Sequence, residues 1–315
     1  MSLAGLRVER VGHRNLVRET ESRTGLVVGT TTAGGYTVPT TFRALLYQHL
    51  VFSSAIRQTN ATVLTTENGD ALLLPKTTAH PSNGTIVSEA AGIGEADPTF
   101  GQATLNAYKY GNLIQTSTEL EQDTVVDLLG YIAKAAARSI ANGAGADFVT
   151  GSGTSKPQGL LVGASTIAQV TGGTGTSGAP TFTELTKIYD KIIPGYQVNA
   201  EWFMSQSALQ AIRALVNTQG TPIFLQSLSG DQPSTLFGKP VIIDPNMPAS
   251  GTSATSVAFG DFSSYFIRDV AGIRFERSVD YAFANDLNTY RVLLRTDGRL
   301  LDLTGAIATY KGGTA

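Results

Sequence analysis

The sequence contains no cysteine, which removes disulfides, thiolate nucleophiles and cysteine-bound metals together. It has three histidines, His13, His49 and His80, too far apart in sequence to form a metal-ligand pair. Charge is scarce: 15% of residues are charged, against roughly 25% in ordinary soluble domains. The formal net charge is -2, so no global basic field draws in nucleic acid. No run of about 18 apolar residues is present to cross a bilayer as a helix. The opening MSLAGLRVERVGHRNLVRE carries charge throughout and lacks an apolar centre, so it does not read as a signal peptide, and synthesis in a cytoplasm is expected. There is no G-x-S-x-G elbow, and carboxylate pairs such as Glu119/Glu121 and Asp280/Asp286 read as helix caps and turns. No catalytic constellation, cofactor motif or metal set emerges, so the chain does not read as an enzyme.

What is present is a chain of 315 residues, 42% apolar, long enough for one large domain or two smaller ones sharing a core. Such a chain lacks the charge that keeps polypeptides unfolded. Sparse charge suits a protein whose outer surface meets copies of itself; a plain β-rich domain has the same composition.

Residues 1 to 33 show no apolar periodicity, and Arg7, Arg10, Arg14, Arg18 and Arg23 outnumber their acidic neighbours. This reads as an arm: a solvated tail, a strap on a neighbouring copy, or an arginine-rich lining facing a polyanion. Gly34 to Pro39 is a turn into a helix running to about Arg57. Asn68-Gly69 lies between two β-prone runs and predicts a hairpin over 62 to 75. Residues 76 to 97 form a long polar loop, and 99 to 116 read as its return strand. Together, 60 to 105 read as a protruding β-arm. Thr118 to Glu121 fits a capping box. A helix over 124 to 148 follows, with Val125, Leu128, Leu129, Ile132, Ala135, Ala136, Ile140 and Ala144 on one stripe. At 1.5 Å per residue it is a rod of about 37 Å. Gly151 and Gly153 end it.

Beyond residue 180 the pattern changes to short helices around Leu185 to Ile192 and Leu209 to Val216, with strands at Trp202 to Met204 and Val241 to Ile243. Alternating strands then resume over Ile273 to Val279 and Tyr290 to Leu294, with a turn expected at Asp297-Gly298. The stretch VTGSGTSKPQGLL, residues 149 to 161, superficially suggests a phosphate loop. A P-loop lies between a strand and a helix, with its lysine beside a hydroxyl residue. Here the glycines follow a helix and Pro157 follows Lys156, so the stretch reads as a helix-ending turn.

The order of these elements, with Gly34-Gly35-Tyr36-Thr37-Val38-Pro39, Ser117 to Asp123, Phe148 to Gly153 through Pro157-Gln158-Gly159, Asn199 to Met204, Leu236 to Val241, Gly260-Asp261-Phe262 and Arg295 to Gly298, resembles the major capsid proteins of tailed phages with the HK97-like fold. The resemblance implies an α+β fold. Residues 1–38 would form an N-terminal arm and 61–105 an extended β-hairpin, the E-loop, that lies over a neighbour. Residues 39–60, 106–180 and 267–297 would form a peripheral (P) domain built on the spine helix. Residues 181–266 and 298–315 would form an α/β axial (A) domain. It implies a non-enzymatic, cofactor-free shell protein forming pentamers and hexamers around double-stranded DNA, assembled in a bacterial cytoplasm with portal, scaffold or protease partners and no membrane. Lys76, His80, Asn83 and Glu89, on the E-loop, become candidates for contact with a neighbouring copy, and the arm arginines become candidates for DNA or neighbour contacts. Some members weld their shells by joining an E-loop lysine to an asparagine carboxamide, with a carboxylate accepting the proton. Lys76 and Asn288 stand in those places, but Arg295 stands where the carboxylate is needed, so an unwelded shell is expected. A nanocompartment shell of the encapsulin type, enclosing protein cargo, is the alternative. A nucleotide-dependent enzyme is a third reading, which the missing P-loop argues against.

Overall fold

The computed structural model describes residues 54–79, 86–87, 89, 99–123, 127–165, 168–173, 178–216 and 235–314. Two sheets and two apolar cores organise them. A four-stranded sheet has the order β1 (Thr62–Thr66), β10 (Tyr265–Ala282), β11 (Leu287–Leu300), β4 (Tyr108–Ser117). A six-stranded sheet has the order β5 (Gln169–Thr171), β12 (Ile307–Lys311), β9 (Thr255–Gly260), β6 (Glu201–Met204), β8 (Lys239–Ile243), β7 (Thr235–Leu236). Strands β2 (Leu72–Ala79) and β3 (Thr99–Leu105) pair only with each other, as a separate antiparallel ribbon.

Strand β4 shows why the first sheet has two different faces. Its outward residues Lys109, Gly111, Leu113 and Gln115 are exposed, and the alternating Tyr110, Asn112, Ile114 and Thr116 turn inward. That is the period-2 pattern of a half-buried strand. The inward face receives the long helix α2 (Leu128–Thr150), which follows the short helix α1 (Thr118–Asp123). Helix α2 buries Ile132, Ala133, Ala136, Ala137, Ile140, Ala141 and Ala144. Small alanine side chains on this face let the helix axis come close to the strands. At its end, Phe148 and Val149 enter a core shared with Leu160, Phe262, Tyr265, Ile267 and Leu300. The second core lies against the six-stranded sheet, where Trp202 stacks on Phe259 at 4.2 Å between ring centres. Helices α4 (Phe182–Lys191) and α6 (Gln206–Arg213) supply Leu185, Ile188, Leu209 and Ile212 to it. Helix α3 (Leu160–Ala164) and the single turn α5 (Pro194–Gln197) are connectors.

Several expectations require correction. Asn68-Gly69 does not close a hairpin: β1 pairs in parallel with β10, and β2 belongs to the ribbon. The protruding arm therefore starts at β2 rather than at residue 60. The return strand over 99 to 116 is two strands, divided at Asn106-Ala107. Asp297-Gly298 is not a turn but lies inside β11, which continues to Leu300. The long helix starts at Leu128 rather than 124, capped by Asp127, whose carboxylate accepts from the Gly130 amide at 2.9 Å. Leu129 is exposed rather than buried on the helix stripe. The helix expected over 209 to 216 runs from Gln206 to Arg213, with Ser205 as its cap. The helix expected over 39 to 57 lies outside the described residues except for a 3-10 turn at Ala55–Gln58.

Candidate functional site

The turn that drew attention in the sequence is mechanical. The Gly151 carbonyl accepts from the Gly159 amide at 2.8 Å, and Ser152 bridges to Gln158. Between them the chain reverses through Gly153 at φ +78°, a conformation glycine reaches without strain. Lys156 pairs with Asp147 at 3.1 Å. Its charge serves the end of α2, and no helix start faces the loop to hold a phosphate.

Asn288 lies on the inward side of β11 and is 5% exposed. Its amide donates to Glu121 Oε2 at 2.5 Å. Tyr290 Oη donates to Glu121 Oε1 at 3.1 Å, and Arg277 donates to Oε2 at 3.1 Å. The Arg277 guanidinium also lies over the Tyr290 ring, 5.9 Å from its centre. Burial raises the Tyr290 hydroxyl to about 12, partly opposed by Arg277 and reinforced by Glu121. Glu121 is therefore not the capping glutamate of a T-x-x-E box. It is the hub that fixes α1 to β10 and β11. The carboxylate beside Asn288 comes from its own chain, through a residue with no distinguishing signal in the sequence.

Arg295 lies seven residues farther along the same strand, about 23 Å away at 3.3 Å per residue. Its guanidinium reaches over Gly69, within 2.7 Å of where a Cβ would stand. Lys76 sits on β2 opposite Gly101, half-buried. Burial holds its ammonium below the usual lysine range, with the positive charge of Arg299 adding to the effect. The two ends of the expected weld, Lys76 and Asn288, thus lie on separate sheets, and Asn288 is already engaged. Glu89 is exposed. His80, Asn83 and the arm residues Arg7, Arg10, Arg14, Arg18 and Arg23 lie outside the described residues, as do His13 and His49.

The outward face of the four-stranded sheet is a second feature, not anticipated in the sequence. Register places Leu113, Arg291 and Glu276 side by side across three strands, with Lys109 opposite Arg295 and Arg274 opposite Leu293. Directly opposed residues in antiparallel strands share a face. One carboxylate, Glu276, pairs with both Arg274, at 2.5 Å, and Arg291. The Arg291 contact above all, with Arg274 adding to it, holds Glu276 below the usual glutamate range. Lys109 and Arg295 form no ion pair among the described residues. Also among the described residues, no group of three or more His, Asp or Glu side chains is arranged to hold a metal, and no helix is long and apolar enough to cross a membrane.

Residues 34–312 match the phage capsid family. No curated protein sequence matches the chain. Among solved structures, the capsid of a native GTA particle is 22% identical with a TM-score of 0.71, covering 93% of this chain and 98% of that chain. A chain of Mycobacterium phage Adephagia is 16% identical with a TM-score of 0.62, covering 94% and 98%. A chain of Microbacterium phage Oxtober96 is 14% identical with a TM-score of 0.62, covering 93% and 98%. The sheet carrying a long helix, the self-paired ribbon and the separate six-stranded sheet make up the HK97-like fold of these particles, and with the match over 34–312 they show that the chain belongs to the phage capsid family.

Proposed function

We propose that the chain is the major capsid protein of a phage-like particle and builds an icosahedral shell from pentamers and hexamers. The match across residues 34–312 carries this reading. The family and the fold are those of structural proteins. In this reading the four-stranded sheet and α2 are the body of the P domain, the six-stranded sheet is the A domain, and the β2–β3 ribbon is the E-loop reaching a neighbour. The enclosed material is double-stranded DNA, held without sequence preference by cations on phosphates, the arm arginines among them. Portal, scaffold and protease partners and assembly in a host cytoplasm belong to the same reading. Many weak copies of one contact give a durable shell, because release of one copy breaks several contacts at once.

Electron microscopy of the expressed protein tests this directly: closed shells are expected, and a monodisperse monomer under all assembly conditions contradicts it. Boiled in denaturant, the shells should run as monomer. Asn288 is buried and bound to Glu121, so it is not poised for attack by a neighbour's lysine. A covalent ladder refutes that part of the reading.

A further inference from the structure

We infer that the cationic outward face of the four-stranded sheet is the seat for the acidic ribbon loop, residues 80–98, of a second copy of this chain. The inference rests on the shell reading and gives that contact its chemistry. Three observations carry it.

The first is charge. Lys109, Arg274, Arg291 and Arg295 face outward with Glu276 as the only carboxylate in their registers, a net of 4 − 1 = +3. Residues 80–98 contain Glu89, Glu95 and Asp97 and no lysine or arginine, a formal −3. The whole chain carries only -2, so the two segments are local and opposite departures from a nearly neutral sequence.

The second is apolar surface left uncovered on both parts. Leu113, in the middle of the cationic face, is 48% exposed, and Ile86 in the loop is 104% exposed. The third is reach. The ribbon is a two-stranded sheet by itself, a form only marginally stable in water without a covering partner. Its base is fixed beside the sheet, where Arg268 donates to Leu105 O at 2.8 Å and Arg299 to Thr104 O at 3.2 Å. From Leu72 to Ala79 the extended strand carries the loop about 23 Å away from that base. The exposure of Leu113 shows that the chain's own ribbon leaves this face open. A second copy is the partner with the matching charge at every position in a shell.

The absence of cysteine supplies the test. Glu89→Cys and Leu113→Cys are made on separate chains, mixed, assembled and oxidised. A disulfide-linked dimer that forms only in the mixture is expected. Its absence overturns the seat, whether or not microscopy shows shells. A dimer without shells upholds the seat and contradicts the shell reading instead. A doubly substituted chain that closes only on itself places the loop on its own sheet and also overturns the inference. A second arm uses Lys109→Glu with Arg295→Glu, which removes no ion pair seen within the chain. The protein concentration needed for assembly should rise at least ~10-fold, because every copy carries the defect. Glu89→Lys, Glu95→Lys and Asp97→Lys on the same chain should restore it. Normal assembly of the reversed face, with reduced DNA content, makes the face a nucleic-acid surface and refutes the loop seat.

Discussion

At the scale of single residues, buried charge decides most of what can be tested. Arg57 and Asp269 form a bidentate pair at 2.8 Å on both arms, with side chains 2% exposed. The Arg57 guanidinium also lies 5.6 Å from the Phe148 ring centre. Removing one partner leaves the other charge stranded in the core. Asp269→Ala should therefore destabilise the unassembled protein by about 3–5 kcal/mol, read from its urea midpoint. A loss below about 1 kcal/mol contradicts the buried-pair account. Asp244 presents the opposite case. It is 1% exposed, its Oδ1 accepts from the Asn246 amide and side chain, and its Oδ2 has no partner. Burial raises its pKa above the ordinary 3.8, although the Asn246 hydrogen bonds pull it back. The unfolded chain thus gives up this proton at a lower pH than the folded one. The stability associated with Asp244 is complete below the ordinary value and is lost as pH rises through the raised one. Asp244→Asn keeps the acceptor and cannot ionise. Its melting temperature should gain on the wild type as pH rises from about 4 toward neutrality. Parallel curves across that range refute the assignment.

At the scale of elements, two glycines with the same sequence symbol have opposite meanings. Gly143 is exposed on α2, and an added Cβ meets only the Tyr110 ring, at 3.8 Å. Gly143→Ala should stabilise the helix by about 0.5–1 kcal/mol. Gly298 is inside β11, where a Cβ would collide with Tyr265 Oη and stand 2.8 Å from the Phe148 ring. Tyr265 is fully buried and donates to Gln158 O at 2.8 Å, tying the turn after α2 to the sheet. Gly298→Ala should cost about 1–3 kcal/mol by overpacking. Thermal melts of both variants decide the matter, and equal effects contradict the packing described.

At the scale of the whole molecule, the ribbon is separable from both cores. Replacing residues 76–101 with an Asn-Gly turn retains the base strands and their contacts with Arg268 and Arg299. The shortened protein should melt within a few degrees of the intact chain, because no core side chain is removed, and yet it should fail to form shells. Shells assembled from the shortened chain contradict the role given to the ribbon. The same separability explains why low charge was informative. Surface that meets other copies does not need the density of charge that keeps a monomer soluble.

Local physics made part of this protein legible in its sequence. A 3.6-residue apolar stripe fixed the long helix, period-2 alternation marked β10 and β11, and the glycines after Thr150 ended the helix as expected. The absence of cysteine and of nucleotide motifs narrowed the chemistry, and the order of motifs pointed to the family. The remainder depended on pairing between distant segments. Asn68-Gly69 and Asp297-Gly298 carry strong turn signals, but strand pairing overrode both: β1 found β10 some 200 residues away, and β11 ran on through its glycine. Glu121 had a local use as a cap, and tertiary contact gave it Asn288, Tyr290 and Arg277 instead. The cationic face exists only because register aligns residues from three strands, and no window of sequence contains that neighbourhood. Period and turn chemistry act over a few residues, whereas register and burial are set by the collapse of the entire chain.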